Sequence, residues 1–184
     1  IGRLGCHDSD PADMRADSPT VRDVAVTGYI HANRSLGGIV GKIGKTNDGG
    51  VISGCANYAT IIGTDAKGTG GIVGAGWNYS TIKDCFNIGT VTGGWPAGGI
   101  VGSNESDVTN CYNAGTVSSA AGVSYGMAIG TNQGGTLKNS YYLKDSGEGG
   151  GYYNALSSDE FGEKEANEMK SAEFADLLGD AFVQ

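Results

Sequence analysis

Gly98–Val117 reads GGIVGSNESDVTNCYNAGTV. Three short apolar pieces are set apart in it by glycines and polar residues. The same outline recurs on both sides. GGIVG stands at Gly70–Gly74, followed by IKDCFNIGTV at Ile82–Val91, and at Gly37–Gly41, followed by ISGCANYATI at Ile52–Ile61. A worn copy reads GMAIG at Gly126–Gly130 and LKNSYYL at Leu137–Leu143. An earlier one reads IGRLG at Ile1–Gly5 and VRDVAVTGYI at Val21–Ile30. The starts at Gly37, Gly70, Gly98 and Gly126 lie 33, 28 and 28 residues apart. Self-similarity at such a period marks a solenoid.

Three apolar pieces per turn of ~28 residues predict an all-β, three-sided parallel β-solenoid of about five coils, with equivalent strands stacked at ~4.8 Å. The rule for parallel crossovers favours a right-handed coil. Three columns stay apolar and are assigned to the interior: Leu4, Val40, Val73, Val101, Ile129; Val21, Ile52, Ile82, Val108, Leu137; and Ile30, Ile61, Val91, Val117. A companion column, Ile39, Ile72, Ile100 and Ala128, is broken only by Arg3. Length differences between units belong to loops outside the stack. After Tyr142 the period dissolves. Residues 1–156 are taken as the solenoid and 157–184 as a C-terminal helical cap or tail. In the tail, Met169, Phe174, Leu177, Leu178 and Phe182 form one helix face, Ser171 is the expected N-cap and Gly179 the stop. The helix is expected over or beside the last coil, where a terminal coil must be covered.

The 184 residues include 34 glycines but only 3 prolines, and glycine follows no three-residue period, which argues against collagen and disorder. A net charge of −8 argues against a nucleic-acid partner, whose phosphates call for Lys and Arg. No apolar run reaches the ~20 residues of a membrane span. The chain begins at Ile1, partway into a repeat, and reads as a piece of a larger multidomain protein.

GGIVG, a variable loop, then NCYNAGTV resembles the GLUG-type repeats of bacterial secreted and cell-surface proteins. The likeness covers Gly37–Val117 well and the flanking units loosely, and MKSAEFADLLGDAF resembles the segment closing such arrays. These repeats occur in large adhesin-like proteins and beside peptidase domains in others. The resemblance implies an extracellular or cell-surface location and a spacer or binding role. It supplies no catalytic residues.

Cys55, Cys85 and Cys111 occupy one repeat position, with Val24 and Ser140 in the outer units. A column of reduced core thiols is the favoured reading; disulfide pairing within it is the alternative. One cysteine per coil lacks the CxxC spacing of a zinc site, and no metal or cofactor is expected. Asn57, Asn87 and Asn113 form a second column, read as a structural amide ladder at a corner. Phe86 and Tyr112 belong to an outward column that packs on itself or offers a ligand platform. Trp77, Asn78 and Tyr79, in the loop after one GGIVG, join rings to an amide and suit a sugar; Trp95 is placed on a different edge. His7 and His31 stand alone, and HExxH and GxSxG are both absent. Asp23, Gly54, Asp84, Asn110 and Asn139 precede the cysteine column without clustering carboxylates. Two readings follow. The favoured one is a non-catalytic adhesion, ligand-binding or spacer module whose partner is a glycan or host-surface protein. The alternative is a polysaccharide-active lyase or hydrolase on a β-solenoid.

Overall fold

The computed structural model describes residues 1–4, 19–44, 49–64, 68–119, 125–147, 160–179 and 182. Among the described residues every strand pairing is parallel, and those within the repeats join residues of successive coils, so the chain is a parallel β-solenoid. Each apolar piece forms strand. Two of the three break in two, so a coil has five short strands.

The first ladder stacks Leu36–Gly37, Thr69–Gly70, Ala97–Gly98 and Tyr125–Gly126. The second stacks Arg3–Leu4, Val40–Ile43, Val73–Gly76, Val101–Asn104 and Ile129–Asn132. The third holds Thr20–Arg22, Val51–Ser53, Thr81–Lys83, Asp107–Thr109 and Leu137–Lys138. The fourth holds Ala25–Val26, Ala56–Asn57, Phe86–Asn87, Tyr112–Asn113, Ser140–Leu143 and Phe161–Lys164. The fifth holds Tyr29–Ala32, Thr60–Gly63, Val91–Gly93 and Val117–Ser119. Ladders are thus 4 to 6 strands deep. The stack makes about four turns, and chain ends extend the deeper ladders.

The break between third and fourth ladders has a local cause. Asp23, Gly54, Asp84, Asn110 and Asn139 all sit there with φ between 45 and 63°. Left-handed backbone is open to glycine and, among other residues, most readily to Asn and Asp. That requirement explains why this column alternates among those three residue types. The amides also link neighbouring coils, Asn110 donating to Asp84 at 3.1 Å and Asn139 to Asn110 at 3.3 Å.

The interior has two apolar lobes. The larger is lined by the second and third ladders and the cysteines; the smaller by Val91, Ala97, Val117 and Met127. Asn57, Asn87 and Asn113 run between them, fully buried. Asn87 uses all four hydrogen-bonding sites of its amide. Its Nδ2 donates to the Gly89 carbonyl and to Asn113 Oδ1 (2.7 Å), and its Oδ1 accepts from Gly89 N–H and from Asn57 Nδ2 (2.6 Å). Across the coil, the second glycine of each GG pair abuts this ladder. A side chain on Gly38, Gly71 or Gly99 would collide with Asn57, Asn87 or Asn113 respectively. The GG and NxG signatures, far apart in sequence, therefore form one seam.

The second and third predicted columns keep their register throughout. The first is corrected at the chain start. Leu4 pairs with Ile43, and Arg3 with Lys42, so Ile1 rather than Leu4 lies at the Val40 position. The Ile1 carbonyl accepts from Gly41 N–H and that of Gly2 from Lys42 N–H, which sets IGRL against VGKI. Arg3 consequently never enters the isoleucine column.

In the tail, α1 (Ala172–Leu178) is capped by Ser171, whose hydroxyl accepts from Phe174 N–H at 3.1 Å, and stops at Gly179, φ 83°. The tail also contributes Phe161–Lys164, a strand paired to Ser140–Leu143. The helix lies beside the stack, on the outer face of the fourth ladder, with Phe174 and Leu178 packed on Tyr141.

Candidate functional site

Length varies most at two corners of the coil. Between second and third ladders the connections are residues 44–50, 77–80, 105–106 and 133–136; between fifth and first they are 33–35, 64–68, 94–96 and 120–124. The connection from first to second is always two residues, as is that from third to fourth from Ser53 to Asn113. The first and second ladders therefore form a face flanked by both variable corners. A groove of about 380 Å³ lies on it.

Trp77 enters from one corner, immediately after Val73–Gly76, and Trp95 from the other, separated from Ala97–Gly98 by Pro96 alone. The sequence places Trp95 on a different edge from Trp77, and it does enter from the other corner; because both corners adjoin the same face, the two rings line one groove. Between them Lys42, Ala75, Ser103 and Thr131, in register on successive rungs, line the groove. The Lys42 ammonium rests 4.4 Å from the centroid of the Trp77 ring, a cation–π contact that orders both side chains. Trp95 is 44% exposed and Pro96 beside it is buried. Asn78 and Tyr79 point elsewhere. Asn78 donates to Glu105 at 3.3 Å, and Tyr79, with φ 64°, is exposed at the corner.

Phe86 and Tyr112 are placed apart from this groove. They stack at 5.1 Å with planes 4° apart, and the chain's own tail covers them: Phe174 and Phe182 contact Tyr112 edge-on, and Phe182 contacts Phe86. Burial there pushes the Tyr112 phenol above its ordinary pKa. The column serves as the docking surface for the helix.

The thiols of Cys55, Cys85 and Cys111 are free and buried. Each donates to the carbonyl two residues before it, at 3.2, 3.0 and 3.2 Å. The Ser140 hydroxyl makes the same bond to Lys138 at 2.9 Å, which explains serine in the column. Val24, in the outermost coil, is 37% exposed, so the slot is buried only inside the stack. The adjoining Cys85 thiol, then burial, pushes Cys55 far above the thiol range; for Cys85 the Cys111 thiol, then burial, does the same. Neutral, enclosed thiols make no nucleophile. Among the described residues no three His, Cys, Asp or Glu side chains gather to hold a metal. His31 is exposed beside Tyr29; Cys6, His7, Asp48 and Asp65 lie outside the described residues.

A second amide ladder escaped the sequence reading. Buried Asn104 donates to Asn132 at 3.0 Å and closes a turn on Ser106. Its column holds Ile43 and Gly76 in earlier coils, so only two repeats carry the signal.

The family model for the GLUG motif matches residues 65–92 and 93–118. These two units are GLUG repeats. Trp77 belongs to the first and Trp95 to the second. No curated protein matches the chain. Among solved structures, the chain resembles one described as a "putative immunoglobulin A1 protease" from Bacteroides ovatus, with a TM-score of 0.72 and 20% identity. The likeness covers 96% of this chain and 56% of that one, so the chain spans little more than half of that protein's length. At this identity the likeness carries the fold alone.

Proposed function

We propose that this chain is a non-catalytic ligand-binding module of a secreted or surface-anchored bacterial protein, and that it holds a glycan in the Trp77–Trp95 groove. The observation carrying this reading is the meeting of the chain's two tryptophans, from separate repeats, across one groove lined by small and hydroxyl-bearing residues. Aromatic faces stack on the apolar faces of sugar rings, while Ser103 and Thr131 hydroxyls suit sugar hydroxyls. The extracellular setting is supported by the match to the GLUG motif.

Glycan-array binding by the intact chain, repeated with Trp77→Ala and Trp95→Ala, tests the proposal. Each substitution is expected to weaken binding about tenfold or more, on the order of 1–3 kcal/mol for a lost aromatic contact, with circular dichroism unchanged. Equal binding by the double variant, or no binding by the intact chain, leaves the spacer role.

A further inference from the structure

Resting on that reading, we infer that the groove takes a straight, equatorially linked β-glycan of the cellulose or chitin type, laid along the axis of the stack with one sugar unit to each rung. Two observations carry this: the direction in which the groove runs, and the order in which its long side chains stand.

The floor is a column. Lys42, Ala75, Ser103 and Thr131 pair rung to rung along the second ladder, so the groove they line crosses the strands and follows the stacking direction. Parallel stacking keeps this floor close to straight over three steps of ~4.8 Å, about 14 Å in all.

The long side chains stand on alternate sides. Gly76, Asn104 and Asn132 share a column, so the residues after them, Trp77, Glu105 and Gln133, are successive positions of one corner. Trp77 lines the groove from this corner at the Ala75 rung, and Gln133 lines it at the Thr131 rung. Glu105, on the rung between, accepts from Asn78 at 3.3 Å and does not line the groove. At that rung the ring comes from the opposite corner, as Trp95, in the same coil as Ser103. Among the described residues the order along the groove is therefore Trp77, Trp95, Gln133: one side, the other, and the first again.

An equatorially linked β-glycan matches both features. It is extended, each unit advances by nearly one rung, and each is flipped relative to the last, so its apolar faces and polar edges alternate from side to side. An axially linked α-glycan curves and leaves a straight floor. Trp95, 44% exposed, supplies the stacking face for the middle unit. The Gln133 amide is exposed and makes no side-chain hydrogen bond within the chain, so it is free both to donate to and to accept from the next unit.

The two tryptophans are the chain's only ones and both line the groove, so intrinsic fluorescence reads it directly. The intact chain is titrated with cellotetraose, with its N-acetylated chitin counterpart, with maltotetraose, and with the disaccharide of each. Cellotetraose and maltotetraose have one composition and differ only in linkage. The two equatorial arms distinguish plain hydroxyls from acetamido groups as what Gln133 meets. At least one equatorial tetraose is expected to bind about tenfold tighter than both maltotetraose and its own disaccharide. Gln133→Ala is expected to weaken that tetraose several-fold and its disaccharide less, with the thermal midpoint unchanged; a merely structural side chain would not separate the two lengths. Maltotetraose binding as tightly as both equatorial tetraoses, a tetraose no tighter than its disaccharide, or full affinity in Gln133→Ala overturns the inference and leaves the glycan groove standing. So does an array response confined to other linkages. No response to any sugar here or on the array overturns both.

Discussion

Asn87 shows how one residue type can hold two coils and a corner together. Replacing it with alanine strips partners from Asn57, Asn113 and the Gly89 backbone inside a closed interior. Asn87→Ala is expected to cost about 2–4 kcal/mol, the sum of several buried groups left unpaired. The shift in urea midpoint measures it, and a loss below about 0.5 kcal/mol would mean the ladder is dispensable. The cysteines give a different residue-scale test. In the folded chain Cys55 and Cys85 stay protonated far above the ordinary 9.0, whereas in the unfolded chain they ionise near it. Their contribution is therefore full below about pH 9 and declines as pH rises beyond, because only the unfolded state then releases protons. Stability is expected to fall between pH 9 and 10.5, less steeply in Cys85→Ala. Native alkylation with iodoacetamide should spare Cys55, Cys85 and Cys111, and all 4 cysteines should react in denaturant.

At the scale of elements, α1 is too short to persist alone and depends on its docking. Phe174 is its anchor, 6% exposed and in contact with both Tyr112 and Tyr141. Phe174→Ala is expected to cost the docked helix about 3–5 kcal/mol. Since local units open below the global free energy, the loss should appear as rapid proteolysis within residues 165–179 while the solenoid's thermal midpoint holds. Ser171→Ala, removing only the cap, should produce a weaker version of about 1 kcal/mol. A midpoint that collapses with Phe174→Ala would show that the tail is integral to the stack.

For the whole molecule, the separation of fixed and variable corners sets where change is tolerated. The corner between Thr60–Gly63 and Thr69–Gly70 has one of the longest connections, whereas the corner at Asp84 is set by left-handed backbone in every coil. A three-residue insertion directly after Thr64, which is exposed, is expected to leave circular dichroism and urea midpoint within about 0.5 kcal/mol of the parent, as for surface changes generally. The same insertion between Asp84 and Cys85 displaces Phe86 and Asn87 from their rung and should unfold the neighbouring coils. Equal tolerance at both sites would contradict the division of corners.

Much of this fold was legible in the chain because a solenoid repeats its constraints. Val21, Ile52, Ile82, Val108 and Leu137 face the same interior on five successive rungs of one ladder, so a periodic string of apolar residues was enough to place them. The Asn57–Asn87–Asn113 ladder and the Ser171 cap were readable for the same kind of reason, each being a local rule tied to a residue type. Leu4 was misplaced because one worn repeat fits two alignments, and only the backbone hydrogen bonds of Ile1 and Gly2 decide between them. The groove lay beyond sequence reasoning. Trp77 and Trp95 converge because two corners, separated in the chain by most of a coil, flank one face. The covering of Phe86 and Tyr112 by Phe174 and Phe182 depends likewise on where the tail docks. Periodicity reports which side of a strand a residue faces; only tertiary packing decides which distant segment meets it there.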